Sequence, residues 1–243
     1  MAVTGLTGIL ANAVIALKQA LEARDEYTMT HSKRVRTLAL AMGKRLRLSR
    51  RLLRDLGLAA ELHDVGKIGV SDDLLHKPGS LTRDEHLQVL EHAVIGEAIL
   101  RPLFGDRPRI LQVVRSHHER VDGTGYPDAL EGENIPLLAR ILAVADAFDA
   151  MTSRRPYRDA LPRTVAIAEL VRCQGTQFEE HCVSALVWVL QSRARDGMAR
   201  SGVLLIVPQV SNSVARGFTI AGYTQLLSWD IARPPPVAWH CPR

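Results

Sequence analysis

Aromatic residues are scarce, 5% of 243 residues, and cysteine occurs three times, at Cys173, Cys182 and Cys241, with no CxxC pair. An odd count without paired spacing argues against a disulfide framework and a thiolate zinc site, and makes a reducing cytoplasm the expected compartment. No uninterrupted apolar run of about 18 residues exists, so no membrane-spanning helix is expected. The stretch "LTGILANAVIAL" comes nearest to a signal sequence, but no Lys or Arg precedes it and "KQALEARDEY" continues the same helical pattern. It reads as a helix of the fold. The net charge of +5 and pI near 9.4 permit an anionic partner. Yet the arginines are not interleaved with aromatics, so the excess reads as solvated surface and no nucleic acid is expected as a partner.

Alternating β patterns are also missing before about Gly202, whereas helical periodicity is abundant. From Leu10 the apolar positions Val14, Leu17 and Leu21 recur at helical spacing, and the period returns in "RVRTLALAMGKRL" and "SRRLLRDLGLAAELHD". Ser49 is an N-cap for the third helix and Thr82 with Glu85 forms a capping box for another. Pro136 stands at the first turn of "PLLARILAVADAFDAM", and "RTVAIAELVRC" and "EEHCVSALVWVLQSR" supply two more helices. The chain is therefore expected to be all-α up to its last forty or so residues. There "VLLIVPQV" reads as a short strand, "GFTIAGYTQLLSW" is ambiguous, and the prolines of "ARPPPVAWHCPR" forbid a regular element.

Five of the nine histidines fall at telling places: His31, His63, His92, His117 and His118. His63 is followed at once by Asp64, and Asp146 lies in "AVADAFDAM". Imidazoles and carboxylates without thiolates suit a divalent ion, iron and manganese being best served by the mixed shell and zinc, nickel, cobalt and magnesium remaining open. The set is too rich for one ion, whereas two ions sharing one aspartate can use it. His76, His86, His181 and His240 read as ordinary surface or core residues. The adjacent pair differs, because neighbouring helical residues point about 100° apart and cannot both enter one apolar stripe. Helical spacing puts His117 on the face of Ile110, Val113 and Val114, at the lip of the core.

The pattern as a whole resembles a known family. "HD" at 63–64 with upstream His31 and downstream Asp146 is similar to the signature of HD metal-dependent phosphohydrolases. The segments "HDVGKIGVSDDLLHKPGSLT", "HHERVDGTGYP", "IPLLARILAVADAFDAMTSRRPYR" and "GTQFEE" resemble the HD-GYP subfamily, which hydrolyses cyclic di-GMP. The resemblance implies an all-α HD-type helical bundle over residues 8–192, with a C-terminal extension, 193–243, forming an irregular tail. It further implies that His31, His63, Asp64 and Asp146 hold one metal, with Asp64 bridging to a second held by His92, His117 and His118. Lys67 resembles the lysine on the scissile phosphate. A third metal needs a glutamate four residues before the first histidine; that position is Tyr27, with Glu26 one residue out of step.

The implied reaction opens cyclic di-GMP to 5′-pGpG, and in some members GMP, lowering second-messenger signalling. Gly123, Gly125 and Tyr126 would lay a loop beside the substrate, both glycines being candidates for positive φ. Arg155 and Arg158, with Arg154 beside them, would clamp the uncut phosphate. Val121 replaces the usual tryptophan and Ala129 a common glycine, which bears on loop packing. The family also implies a GGDEF-type diguanylate cyclase as a partner at this loop, and allows a homodimer. Few residues precede the first helix, so no regulatory module is expected ahead of it. The alternatives are a non-catalytic cyclic di-GMP sensor and an HD phosphohydrolase acting on another cyclic dinucleotide or nucleotide. The intact ligand set favours the enzyme.

Overall fold

The computed structural model describes residues 2–24, 26–77, 79–154 and 159–201. The predicted strand in "VLLIVPQV" and the expected irregular tail from 202 onward lie outside them, as do Cys241 and His240, whereas 193–201, expected to be irregular, continue the last helix. Among the described residues the chain forms ten α-helices and no strand, with isolated bridges only at Asp122–Glu131 and Gln174–Phe178. The helices are α1 Ala2–Arg24, α2 Glu26–Arg45, α3 Arg50–Leu62, α4 Asp72–Leu75, α5 Arg83–Leu90, α6 His92–Phe104, α7 Pro108–Ser116, α8 Leu137–Thr152, α9 Arg163–Arg172 and α10 Glu180–Ser201. Between α3 and α4 lies a 3-10 turn, Val65–Gly69.

Local chemistry sets the helix starts. The Ser49 hydroxyl accepts from Leu52 N at 3.3 Å, and Thr82 and Glu85 close the expected capping box. Each satisfies an amide that has no partner within its own helix. Pro136 is the residue just ahead of α8, one position earlier than a first-turn proline, and Pro108 opens α7. The proline before α8 costs nothing there, since its missing N–H would have had no intrahelical acceptor.

Packing is organised around α8, whose Ile141, Leu142, Val144 and Ala145 are fully buried. Helix α2 packs on both α3 and α8, α7 packs on α3, α6 and α8, and α6 lies along the 3-10 turn. The shared core takes in Val35, Met42, Leu56, Phe104 and Ile110. A smaller cluster, Val70, Leu74, Leu81 and Val89, seats α4 and α5 beside it. Helix α1 is anchored by Val14 and Leu21 and by a Lys18–Glu61 ion pair of 3.3 Å to α3. The bundle thus brings the ends of α3, α5 and α7 together with the middles of α2 and α8, and the histidines sit at that meeting point. No helix of the described residues is long and apolar enough to cross a membrane.

Candidate metal centre

His63 follows the last turn of α3, His92 follows α5 and opens α6, and His117 follows the last turn of α7. Each returns Nδ1 to the carbonyl three residues upstream: His63 to Ala60 at 3.0 Å, His92 to Val89 at 2.8 Å, His117 to Val114 at 2.6 Å. A carbonyl only accepts, so Nδ1 carries the proton in all three and Nε2 is left as a bare lone pair. His31 reaches the same state by another route. Its Nδ1 lies 2.8 Å from Asp149 Oδ2, and Arg34 grips that carboxylate at 2.6 and 2.8 Å.

The lone pairs converge. Nε2 of His92 and of His117 face each other at 3.4 Å, and Nε2 of His63 is buried with no hydrogen bond. Two acceptors aimed at one point repel unless a cation stands between them, and a buried acceptor left bare is costly. His31, His63 and Asp64 form one group whose donor atoms lie within 4.8 Å of one another, and His92, His117 and His118 form a second of the same size. Asp64 connects them: Oδ2 lies 3.4 Å from His63 Nε2, while Oδ1 lies 3.7 Å from His92 Nε2. Asp146 joins the first group through His31, 3.1 Å from its Nε2. Lys67, only 2% exposed, places Nζ 2.9 Å from Asp64 Oδ2. His76, His86 and His181 join neither group.

Charge completes the fit. Burial alone would raise the Asp64 carboxyl, but Lys67, then His63 and His92, hold it well below the ordinary carboxylate range. Asp146 and Asp149 are likewise held low against their burial, Asp149 by hydrogen bonds from His31 Nδ1 and Arg34, Asp146 by the His31 and His63 imidazoles beside it. Burial pushes His92 and His118 down, and His117 down to about 3. Ionised carboxylates and neutral imidazoles are the forms that donate to a metal, so the residues fit divalent ions.

Those histidines make the metal-free protein acid-sensitive. Unfolded imidazoles take up protons near pH 6.5, whereas folded His117 stays neutral to about pH 3. Its contribution is intact above the unfolded value and is lost as pH falls toward the folded one, about 2 kcal/mol by pH 5, with His92 and His118 adding in the same direction. Urea unfolding of chelator-treated protein should therefore show a lower midpoint near pH 5 than near pH 7.5. Equal midpoints would contradict neutral buried imidazoles.

The loop after α7 departs from expectation in two ways. The helix stops at Ser116, so His118 lies in a turn rather than on a helix, its ring centroid 4.0 Å from that of His117. Gly123 has the expected positive φ of 73°, but Gly125 is not among the positive-φ glycines. Gly125 is needed for close approach instead: a Cβ there would collide with Arg120 N and with Glu119 Cα. Tyr126 stacks on His118 with centroids 4.8 Å apart, which puts the Gly-Tyr-Pro segment against the second group. Val121 packs on the core where the larger tryptophan is usual.

Sequence reasoning missed the groups that brace this assembly. Asp149 and Arg34 orient His31, and the only sequence signal was the i, i+3 spacing of Asp146 and Asp149 on α8. Buried Glu119 accepts from Asp128 N at 2.7 Å and Leu130 N at 3.0 Å, closing the loop on itself. Arg155 and Arg158 lie outside the described residues, as do the side chains of Glu26 and Tyr27.

Ala129 carries a φ of 51°, a conformation that costs an L-residue about 1 kcal/mol. Glycine removes that cost but loses more freedom on folding. Ala129→Gly should raise stability by about 0.5 kcal/mol, read as a higher urea midpoint at unchanged slope. A lower midpoint would show that the loop relieves the residue in another way.

A family model described as HD domain matches residues 16–181. A cyclic di-GMP phosphodiesterase response regulator, RpfG, of Xanthomonas campestris is 44% identical over 175 residues, covering 70% of this chain and 46% of that protein. The chain belongs to the HD-GYP branch of the HD-domain family. Two further relatives of this HD-GYP chain are a cyclic di-GMP phosphodiesterase, PA4108, of Pseudomonas aeruginosa, and a 3′3′-cGAMP-specific phosphodiesterase of Vibrio cholerae. The first is 42% identical, covering 72% of this chain and 42% of that protein; the second is 38% identical, covering 71% and 37%. The HD-GYP chain thus spans less than half the length of these curated relatives. Among solved structures, a cyclic GMP-AMP phosphodiesterase of Vibrio cholerae aligns with a TM-score of 0.60 at 19% identity, over 85% of this chain and 52% of that one. The Bdellovibrio bacteriovorus protein Bd1817 aligns at 0.56 and 20% identity, over 69% of this chain and 53% of that one. Both show the shared fold.

Proposed function

We propose that this HD-GYP chain is a metal-dependent phosphodiesterase that opens cyclic di-GMP to 5′-pGpG, the further cut to GMP made by some members of the family being a separate step. The observation that supports it most is Asp64, whose two oxygens face two separate groups of bare imidazole nitrogens. Two divalent ions, iron or manganese in preference, would be held by His31, His63, Asp64 and Asp146 on one side and by Asp64, His92, His117 and His118 on the other. When bound, such a pair supplies an acidified water and positive charge for the phosphoryl oxygens.

The chain's own groups do the remaining work. Lys67, fixed by Asp64, presents its ammonium to a non-bridging oxygen and stabilises the charge that grows there. Water oxygen bonds to phosphorus, the bond from phosphorus to the ribose 3′-oxygen breaks, and that oxygen leaves with a proton. Arg155 and Arg158 would hold the second phosphate, and Gly123, Gly125 and Tyr126 one wall of the cleft. The reading treats residues 8–192 as the catalytic unit and 193–243 as an extension, α10 running from the one into the other. A reducing cytoplasm rests on the odd cysteine count and the lack of paired spacing alone. A diguanylate cyclase partner and a homodimer rest on the resemblance alone.

A second substrate, 3′3′-cGAMP, has specific support in the relative named for it. Protein purified anaerobically, with its metal content measured, should be incubated separately with cyclic di-GMP and 3′3′-cGAMP and the products resolved by chromatography. Conversion of cyclic di-GMP to pGpG supports the proposal, and preferential loss of 3′3′-cGAMP would move the substrate assignment. Two bound metals with both substrates intact would overturn hydrolysis in favour of the sensor alternative.

A further inference from the structure

The last residue of α1 reaches the catalytic turn. Arg24 directs all five guanidinium N–H groups at one short stretch of chain. Nε and Nη2 lie 3.1 and 2.6 Å from Asp72 Oδ1, and Nη2 lies 2.8 Å from the Val70 carbonyl. Nη1 donates to the Ile68 carbonyl and lies 3.5 Å from that of Lys67. A planar fork with donors at fixed angles can tie several backbone carbonyls together in this way; an ammonium, a point charge with three donors, cannot.

These carbonyls belong to the end of the 3-10 turn that carries Lys67 and to its cap Val70, where helical backbone runs short of amide donors; of these, the Lys67 carbonyl also accepts from Val70 N. On its opposite side the same turn lies against α6, Gly66 touching the backbone at His92 and Gly96. The turn is therefore gripped from two sides, by α6 through contact and by α1 through Arg24. What the grip fixes is the start of the Lys67 side chain, whose ammonium must lie within hydrogen-bond reach of Asp64. A loosened turn would move that ammonium while His31, His63 and Asp146 stay on α2, the end of α3 and α8; Asp64 caps the other end of the turn, ahead of the stretch that Arg24 holds.

We propose that Arg24 is a positioning residue for Lys67, clamping the 3-10 turn so that the ammonium sits where phosphoryl charge develops. The inference rests on the phosphodiesterase reading, so its test includes a measurement that needs no turnover. Arg24→Ala should lower kcat about 10- to 100-fold with KM within about twofold, at unchanged metal content and melting temperature. Arg24→Lys should rescue little of it, whereas Asp72→Ala, which removes the outer carboxylate but no carbonyl contact, should stay within about twofold of the parent. In a Lys67→Ala background, measured by single turnover, Arg24→Ala should add less than about twofold, because its only route to the reaction is already gone.

Hydrogen exchange supplies the independent readout. The amides of Lys67 and Val70, bonded to Asp64 and Lys67 carbonyls at 3.0 and 3.1 Å, should lose protection in Arg24→Ala while α3 and α6 keep theirs. Unchanged exchange overturns the clamp, whatever the enzyme turns over. Unchanged kcat in an active enzyme, or a full multiplicative loss on top of Lys67→Ala, overturns the link to Lys67. An inactive parent with the local loss of protection would keep the clamp and discard the substrate assignment instead.

Discussion

Asp64→Ala is expected to lose metal and hydrolysis together, with kcat/KM falling by more than about a thousandfold, roughly 4 kcal/mol of transition-state stabilisation. The size follows from position. One side chain serves both groups of imidazoles, one oxygen toward each, so its removal takes an anionic donor from two ions at once. It also removes the carboxylate beside Lys67, a side chain 2% exposed, so some loss of stability should accompany the loss of function. Asp64→Asn separates the two effects, keeping the shape while giving up the charge. Metal analysis and product chromatography on the same preparations check both, and a variant that hydrolyses substrate with one ion or none would refute the bridging role.

Gly66→Ala should be nearly as damaging, for a steric reason. A Cβ at Gly66 would lie 1.8 Å from the His92 carbonyl oxygen, and the neighbouring atoms at His92 and Gly96 are also backbone. No rotamer change can make room, so α6 must shift off the turn. Overpacking of this kind costs about 1–3 kcal/mol, occasionally more. Here it acts on the helix that presents His92, so the affinity of the proposed His92, His117 and His118 site for metal should weaken along with overall stability. Urea unfolding read beside metal content is the check, and a parent-like midpoint with full loading would mean that α6 and the turn can part without consequence. Because His92 bonds only the Val89 carbonyl through Nδ1, the damage should not spread to the orientation of His31.

What can be read from the chain and what cannot divides along one physical line. Caps, helical period and donor chemistry are local or chemical properties, so Ser49, the Thr82–Glu85 box and the seven residues proposed as metal donors are legible in the amino-acid sequence. Helical spacing even places His117 on the correct face, with Ile110, Val113 and Val114, all of them buried. The second tier depends on which helices meet. Nothing near His31 in sequence names Asp149 as its partner, and nothing near Lys67 names Arg24, because each pairing joins segments far apart in the chain. Gly125 shows the intermediate case: its need for glycine is legible, but the reason is a neighbour's backbone rather than its own φ. Ala129 reverses it, a positive φ where the sequence shows a residue with a Cβ.

The return of each ring proton to a carbonyl three residues back carries a lesson for building such centres. At His63, His92 and His117 the nitrogen left open for a metal is set by a carbonyl only three residues away, with no help from a distant helix. A designer transplanting this centre could therefore specify three imidazoles simply by where helices are made to stop. His31, by contrast, needs its tautomer written into a distant part of the scaffold, as a carboxylate and an arginine that must arrive with it.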